Sequence, residues 1–250
     1  MKNIGSSFLF AALGIALFYF FSPAGEALME DTFGPPPEAV APNWASIAAW
    51  PARDNGAVEA VPDPNRRITA IVLDDSGSMG ADIDPAKAAV LQAVASMEQD
   101  DRVAVVALNA GTVLAFTRVG DATGPLQNAL RRVDSSGSTP LTEAVQNARV
   151  MLEEEAAAAR SFGTYRMIVT TDGQADNDRT LTRSIEEIAA ATPIQLATIG
   201  IGIRGGHVLR RDDLGSFVDV SNVDALQSAL EDAIAENADF TAITEFAGDG

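Results

Sequence analysis

The sequence predicts an α/β fold: a doubly wound, mostly parallel sheet with helices on both faces and one antiparallel edge strand. Three observations carry this. From Arg67 onward, strand and helix patterns alternate in the order β-α-β-β-α-α-β-α-β-β-α, and such alternation builds a mostly parallel sheet covered by helices. The first of these strands, within Ile68 to Leu73, is a run of apolar and β-branched residues, the composition of a strand buried on both faces. Finally, Asn109-Ala110-Gly111 makes a short turn between two strand patterns, so those two strands form a hairpin.

The amino terminus comes first. Met1-Lys2-Asn3 precedes a largely apolar run of 18 residues, Ile4 to Phe21, which would measure about 27 Å as a helix. A bilayer core takes roughly 17–25 residues and a signal-peptide core about 7–15. Residues 1–21 are therefore read as a transmembrane anchor, with a cleaved signal segment as the alternative. Phe18-Tyr19-Phe20-Phe21 has the composition of an interfacial aromatic belt. Lys2 lies before the run, while Glu26, Glu30 and Asp31 follow it. The positive-inside rule then keeps the amino terminus in the cytoplasm. The expectation is a single-pass protein of the inner, cytoplasmic membrane with its main domain outside the cytoplasm, in the periplasm, or a secreted form if the leader is cleaved.

Residues 22–66 hold eight of the twelve prolines. Proline removes a donor and blocks both helix and central strand, so this stretch reads as a tether. Both tryptophans, Trp44 and Trp50, fall inside it. A bare spacer has no use for them, and the simplest expectation is that this piece docks on the domain; a partner-binding short helix is the alternative.

Residues 67–238 form the predicted domain, followed by a tail, 239–250. After the opening strand, Asp84-Pro85 supplies an N-cap and a first-turn proline for a helix to about Glu98. Arg102 to Leu108 and Thr112 to Val119 are the hairpin strands. A helix is expected near Pro125 to Arg132 and another from Pro140 to about Arg160. Arg166 to Thr171 is strand, Thr180 to Ala191 helix, Ile194 to Ile201 strand and Phe217 to Val220 a short strand. Ser221, with Asp224 three residues on, reads as a capping box for a final helix; its apolar positions Val223, Leu226, Leu230 and Ile234 share one face.

In open sheets of this class, sites form beyond the carboxyl ends of the strands. Three polar clusters should collect there. The first is Asp74-Asp75-Ser76-Gly77-Ser78-Met79-Gly80, where Asp74, Ser76 and Ser78 stand at spacing two. The second is Asp134-Ser135-Ser136-Gly137-Ser138-Thr139, and the third Thr170-Thr171-Asp172-Gly173. Asp74, Ser76, Ser78, Thr139 and Asp172 together offer carboxylates and hydroxyls only. That hard set suits Mg²⁺ or Mn²⁺ and is a poor match for zinc. Asp82, Asp84, Asp176 and Asp178 are expected to form a solvated rim.

These residues carry a resemblance. Asp74-Asp75-Ser76-Gly77-Ser78 resembles the Asp-x-Ser-x-Ser motif of von Willebrand factor type A domains, a Rossmann-like α/β family. Ser138-Thr139-Pro140-Leu141 resembles the loop that supplies the family's threonine, and Thr171-Asp172-Gly173 the segment that supplies its second aspartate. The three occur in the family's order over roughly residues 67 to 238. The resemblance implies a metal-ion-dependent adhesion site in which Ser76, Ser78 and Thr139 ligate a Mg²⁺ (Mn²⁺ or Ca²⁺ being possible occupants) and Asp74 and Asp172 act directly or through water. It also implies a protein partner whose Asp or Glu carboxylate fills the open position.

Composition and motif narrow the alternatives. The net charge is -18, which repels phosphate backbones and argues against nucleic acid as a partner; a bound cation would reverse that charge locally. The chain has no cysteine, which excludes disulfides and thiolate sites. Gly200-Ile201-Gly202-Ile203-Arg204-Gly205 fits a dinucleotide fingerprint, but no helical pattern follows it, so the glycines are read as serving a turn. A phosphoacceptor domain would need a late lysine, and no lysine follows Lys87. A serine hydrolase needs a G-x-S-x-G elbow and a histidine base; the single histidine, His207, lies on a polar loop and is expected to be solvated. The expectation is a non-enzymatic, exported, membrane-tethered protein-binding module. A metal-dependent hydrolase, and an assembly factor with a stabilising metal, are the alternatives.

Overall fold

A computed structural model describes residues 39–51, 65–159, 162–203 and 205–235. The expected anchor, most of the tether and the carboxyl-terminal tail lie outside these residues. Among the described residues, no helix is long and apolar enough to cross a membrane.

Six strands form one sheet in the order β3-β2-β1-β4-β5-β6. They are β1 (Arg67–Leu73), β2 (Arg102–Ala107), β3 (Gly111–Arg118), β4 (Thr164–Thr171), β5 (Gln195–Ile201) and β6 (Ser216–Val220). Every neighbouring pair is parallel except β2 and β3, which form the expected antiparallel hairpin with β3 at the edge. β1 lies between β2 and β4, with Val72 level with Val106 on one side and Val169 on the other. From β1 the chain winds outward to β2 and β3, then returns to β4 on the opposite side. The order of winding therefore reverses between β1 and β4, and a crevice opens above their carboxyl ends at such a reversal.

The apolar strand residues alternate between two cores, as period-two side chains must. Ile71 and Leu73 face one layer, with α2 (Ile83–Ser96), α3 (Val119–Leu130) and α6 (Leu226–Ala235). Ile68, Ala70 and Val72 face the other, with α4 (Leu141–Ala158) and α5 (Asp178–Ala191). The connection from β5 to the parallel β6 contains no helix among its described residues; instead Leu209 and Leu214 cover the sheet on the α4 and α5 side.

A further helix, α1 (Trp44–Ala48), belongs to the segment before β1. Its flank docks as expected. Trp50 is buried edge-on against Tyr165, ring centroids 4.8 Å apart. The amide of Asn43 donates to Ala190 O at 2.7 Å and that of Val40 to Asp213 Oδ2 at 3.0 Å. Trp44 by contrast is 73% exposed.

Three helix starts differ from expectation. α3 begins at Val119, well before Pro125, which lies inside it. Backbone bonds from Val119 to Asp101 O and from Gly120 to Gln99 O fix the first turn. Val119, Ala122, Leu126 and Leu130 then make one buried stripe, and Pro125 sits on the exposed side, where the carbonyl it leaves unbonded meets water. α6 is led in by a 3-10 turn over Val223–Ala225, and it is this turn that is capped, by Asn222, whose Oδ1 accepts from the Asp224 amide at 3.1 Å, rather than α6 by Ser221. α2 starts at Ile83, after a 3-10 turn over Gly77–Asp82, so Asp84 and Pro85 fall in its first turn.

Candidate metal centre

Four of the five sequence-predicted residues, Asp74, Ser76, Ser78 and Asp172, are joined by hydrogen bonds above β1 and β4. Asp74 follows the last residue of β1 and is 0% exposed. Its amide donates to Thr170 Oγ1 at 3.1 Å, and that hydroxyl donates to Val72 O at 3.2 Å, so a β4 side chain clamps the end of β1. Asp74 Oδ1 accepts from the Ser76 amide at 2.9 Å, an Asx-type turn that folds the loop back on itself. Asp74 Oδ2 accepts from the Asp172 amide at 3.2 Å. Ser76 Oγ and Ser78 Oγ are 3.0 Å apart, and Ser78 Oγ donates to Asp172 Oδ1 at 2.8 Å. Four of the residues are thus joined in a closed ring of hydrogen bonds.

The loop that carries Thr139 is tied to the first loop just before Thr139. The Gly77 amide donates to Gly137 O, the Ser136 amide to Asp75 O, and Ser135 Oγ to Ser76 O. The approach is close: a Cβ on Gly77 would stand 3.2 Å from Gly137 O, while Gly137 itself has a φ of 76°, which favours glycine, and a Cβ there would press on the Asn109 side chain. The tie of Thr139 to the third loop runs through its backbone. Its amide donates to Asp176 Oδ1 and its carbonyl accepts from the Asp176 amide, both at 3.0 Å.

Three residues that the sequence did not mark hold these loops in place. Asp75 is buried, and both its oxygens are taken by the β2–β3 turn: the Asn109 amide donates to Oδ1 at 2.7 Å and the Ala110 amide to Oδ2 at 2.9 Å. Asp176 was expected in a solvated rim. It is exposed, as expected, and it also accepts from Ser138 Oγ and the Thr139 amide; Asn177 caps α5 immediately after it. His207 was expected to be solvated and is 6% exposed. It folds inward because both ring nitrogens find backbone partners, Gly173 O at 3.1 Å and the Leu209 amide at 3.1 Å. A trace of this in the sequence is Val208-Leu209, an apolar pair directly after the histidine.

The electrostatics suit a cation. Burial pushes the Asp172 carboxyl above its usual range and the Asp74 charge pushes it the same way, against the hydrogen bond from Ser78. Among the described residues, neither Asp74 nor Asp172 is paired with a basic side chain. Two carboxylates thus share a partly buried pocket without a counter-charge, which is costly unless a cation supplies one. Among the described residues, no three His, Cys, Asp or Glu side chains gather into a metal-binding group; the donors here are hydroxyls beside a carboxylate pair. The glycine sequence at 200–205 leads into turns rather than a helix over the described residues, so no helix amino terminus faces a pyrophosphate there.

A six-stranded sheet in this order, with an Asp-x-Ser-x-Ser loop at its reversal point, defines a class of α/β domain. Residues 69–174 match the sequence profile of the von Willebrand factor type A domain, whose fold the described residues have. An uncharacterized protein of Synechocystis sp., sll0103, is 29% identical over 149 residues, which are 56% of this chain and 34% of that protein; the chain thus spans about a third of that relative. The solved structure of a von Willebrand factor type A protein from Catenulispora acidiphila superposes with a TM-score of 0.58 at 20% identity, over 68% of this chain and 42% of that one. Proximal thread matrix protein 1 from the mussel byssus, in a form with a zinc-occupied MIDAS motif, superposes with a TM-score of 0.54 at 16% identity, over 69% and 48% of the two chains. At these identities the likeness is one of fold.

Proposed function

We propose that this domain binds a protein partner through a divalent cation held by Asp74, Ser76, Ser78, Thr139 and Asp172. The observation that carries the reading is the closed ring of Asp74, Ser76, Ser78 and Asp172, which lacks a basic partner among the described residues. Its all-oxygen donors suit Mg²⁺, and Mn²⁺ or Ca²⁺ are possible occupants. The mussel protein, which shares the fold, is described with zinc in the corresponding type of motif. When bound, the cation supplies a Lewis-acidic centre whose charge two aspartates roughly neutralise. The chain's part is to hold the loops. Asp75 fixes the first to the β2–β3 turn, Asp176 fixes Thr139, and Thr170 clamps β1 to β4.

The partner presents an Asp or Glu carboxylate to the remaining position. A protein of net charge -18 repels acidic surfaces elsewhere, so the cation confines their approach to this point. Binding is favoured over hydrolysis by His207. It is the single histidine, and both its ring nitrogens are engaged with backbone, which leaves it unsuited to act as a general base.

The segment 1–21, with its apolar run from Ile4 to Phe21, would tether the domain to the inner membrane, outside the cytoplasm. Trp50 packs on Tyr165, at the start of β4, whereas Asp172 follows its end, roughly 20 Å away along the strand at ~3.3 Å per residue. The segment that leads toward the tether therefore docks at the far end of the sheet from the site, leaving the site open to a partner. Affinity capture from membranes tests the reading. A partner retained with Mg²⁺, and lost both in chelator and with Asp74→Ala, is the expected result; retention unchanged in chelator contradicts it.

A further inference from the structure

We infer that His207 is a positioning residue for the cation site, holding the Asp172 arm in place from behind; the inference rests on the cation reading above. The arm is gripped on both sides. In front, the Asp172 amide is bonded to Asp74 Oδ2 and its carboxylate to Ser78 Oγ. Behind, the next residue, Gly173, offers its carbonyl to two donors, Thr171 Oγ1 at 3.0 Å and His207 Nε2 at 3.1 Å. A second tie runs between the same two segments, from Gln174 Nε2 to Gly206 O at 2.7 Å.

The imidazole is itself fixed. Its Nδ1 accepts from the Leu209 amide, which assigns the proton to Nε2 and makes that nitrogen the donor to Gly173. Leu209 is buried in the core over α4 and α5. The ring rests against Phe217 of β6 at 5.8 Å between centroids. A line of defined contacts therefore runs from the hydrophobic core, through Leu209 and His207, to the peptide after Asp172. The β5–β6 connection lacks a helix in its described part, and this bracing of a neighbouring loop is what its ordered turn provides. Groups behind a ligand restrict the positions its oxygens can take. Losing one typically weakens metal affinity about 10–100-fold.

The test is Mn²⁺ affinity of the 250-residue chain, read by electron paramagnetic resonance, alongside urea unfolding of the metal-free chain. Wild type, Asp74→Ala, His207→Ala, His207→Gln and Ile188→Ala are compared; Ile188 is a buried residue near the carboxyl end of α5, away from the site. The expected result is a roughly 10-fold or greater loss of Mn²⁺ affinity in His207→Ala. Partial recovery is expected in His207→Gln, whose amide can still donate to Gly173. Ile188→Ala should keep wild-type affinity although it is destabilised. If wild type binds Mn²⁺ and Asp74→Ala does not, the cation reading stands, and equal affinity in His207→Ala and wild type then overturns the role of His207 alone. Loss of affinity in Ile188→Ala to the same degree as in His207→Ala overturns it too, by making the effect one of general stability. Failure of wild type to bind Mn²⁺ overturns both.

Discussion

Ser78 and Asp172, 94 positions apart in the chain, share a hydrogen bond of 2.8 Å. It joins the loop after β1 to the loop after β4, across the line where the winding of the sheet reverses. The hydroxyl that donates there would, with a cation present, turn its oxygen toward the metal instead.

Removing one of the two carboxylates should separate binding from stability. Asp172→Asn relieves the repulsion from Asp74 that helps raise the Asp172 pKa. In chelator its unfolding free energy should equal or exceed that of wild type. Added Mg²⁺ at a hundredfold its dissociation constant should stabilise wild type by about 2.7 kcal/mol and leave the variant unmoved. Urea titrations with and without Mg²⁺ measure both; a variant stabilised as much as wild type would speak against the assigned donors.

Gly137 is predicted to tolerate no side chain. At a φ of 76°, and with Asn109 Oδ1 only 2.4 Å from a would-be Cβ, Gly137→Ala combines backbone strain with a clash. The expected loss is about 1–3 kcal/mol, together with weaker Mg²⁺ binding, because Gly137 O holds the Gly77 amide. A stability equal to wild type in urea would show that the loops do not pack as closely as described.

Acid should destabilise the metal-free domain through His207. Burial lowers its pKa below the ordinary 6.5, so below that value the unfolded chain takes up a proton that the folded one resists. The unfolded state then binds more protons, and stability falls as pH falls, by up to about 1.4 kcal/mol per pH unit. Protonation would also set an N–H on Nδ1 against the Leu209 amide. Unfolding curves between pH 7.5 and 5.5 should show this slope in wild type and a shallower one in His207→Gln. Identical slopes would mean that His207 is not held neutral.

The two tryptophans should behave oppositely. Trp50 is buried on Tyr165, and Trp50→Ala should cost about 3–5 kcal/mol. Trp44 is exposed, and Trp44→Ala should change stability by no more than about 0.5 kcal/mol. Urea unfolding of the two variants decides this; equal effects would mean that the docked segment is described wrongly.

The fold class, the succession of elements and the Asp-x-Ser-x-Ser loop at a strand's end were legible because their signals are local. Ile68 to Leu73 is continuous in apolar character, and Asp74, Ser76 and Ser78 lie within one turn of chain. The tight hairpin at Asn109–Gly111 was visible for the same reason. What escaped depends on groups brought together by folding. Nothing near Asp176 in the chain shows that it will lie under Thr139, and nothing near His207 shows that it will meet Gly173. The start of α3 was missed because Pro125 reads as a first-turn residue, whereas backbone bonds to Gln99 and Asp101 set the helix going earlier. The capping of α6 slipped by one residue because a 3-10 turn, not an α-helical one, receives the chain.

The most direct measurement is calorimetric titration of Mg²⁺ or Mn²⁺ into the metal-free chain and its Asp74→Ala variant, with circular dichroism to confirm that both are folded. The account predicts one saturable site in the wild-type chain and none in the variant, with matching spectra. A wild-type chain that binds neither ion, or a folded variant that binds as tightly as wild type, would contradict it.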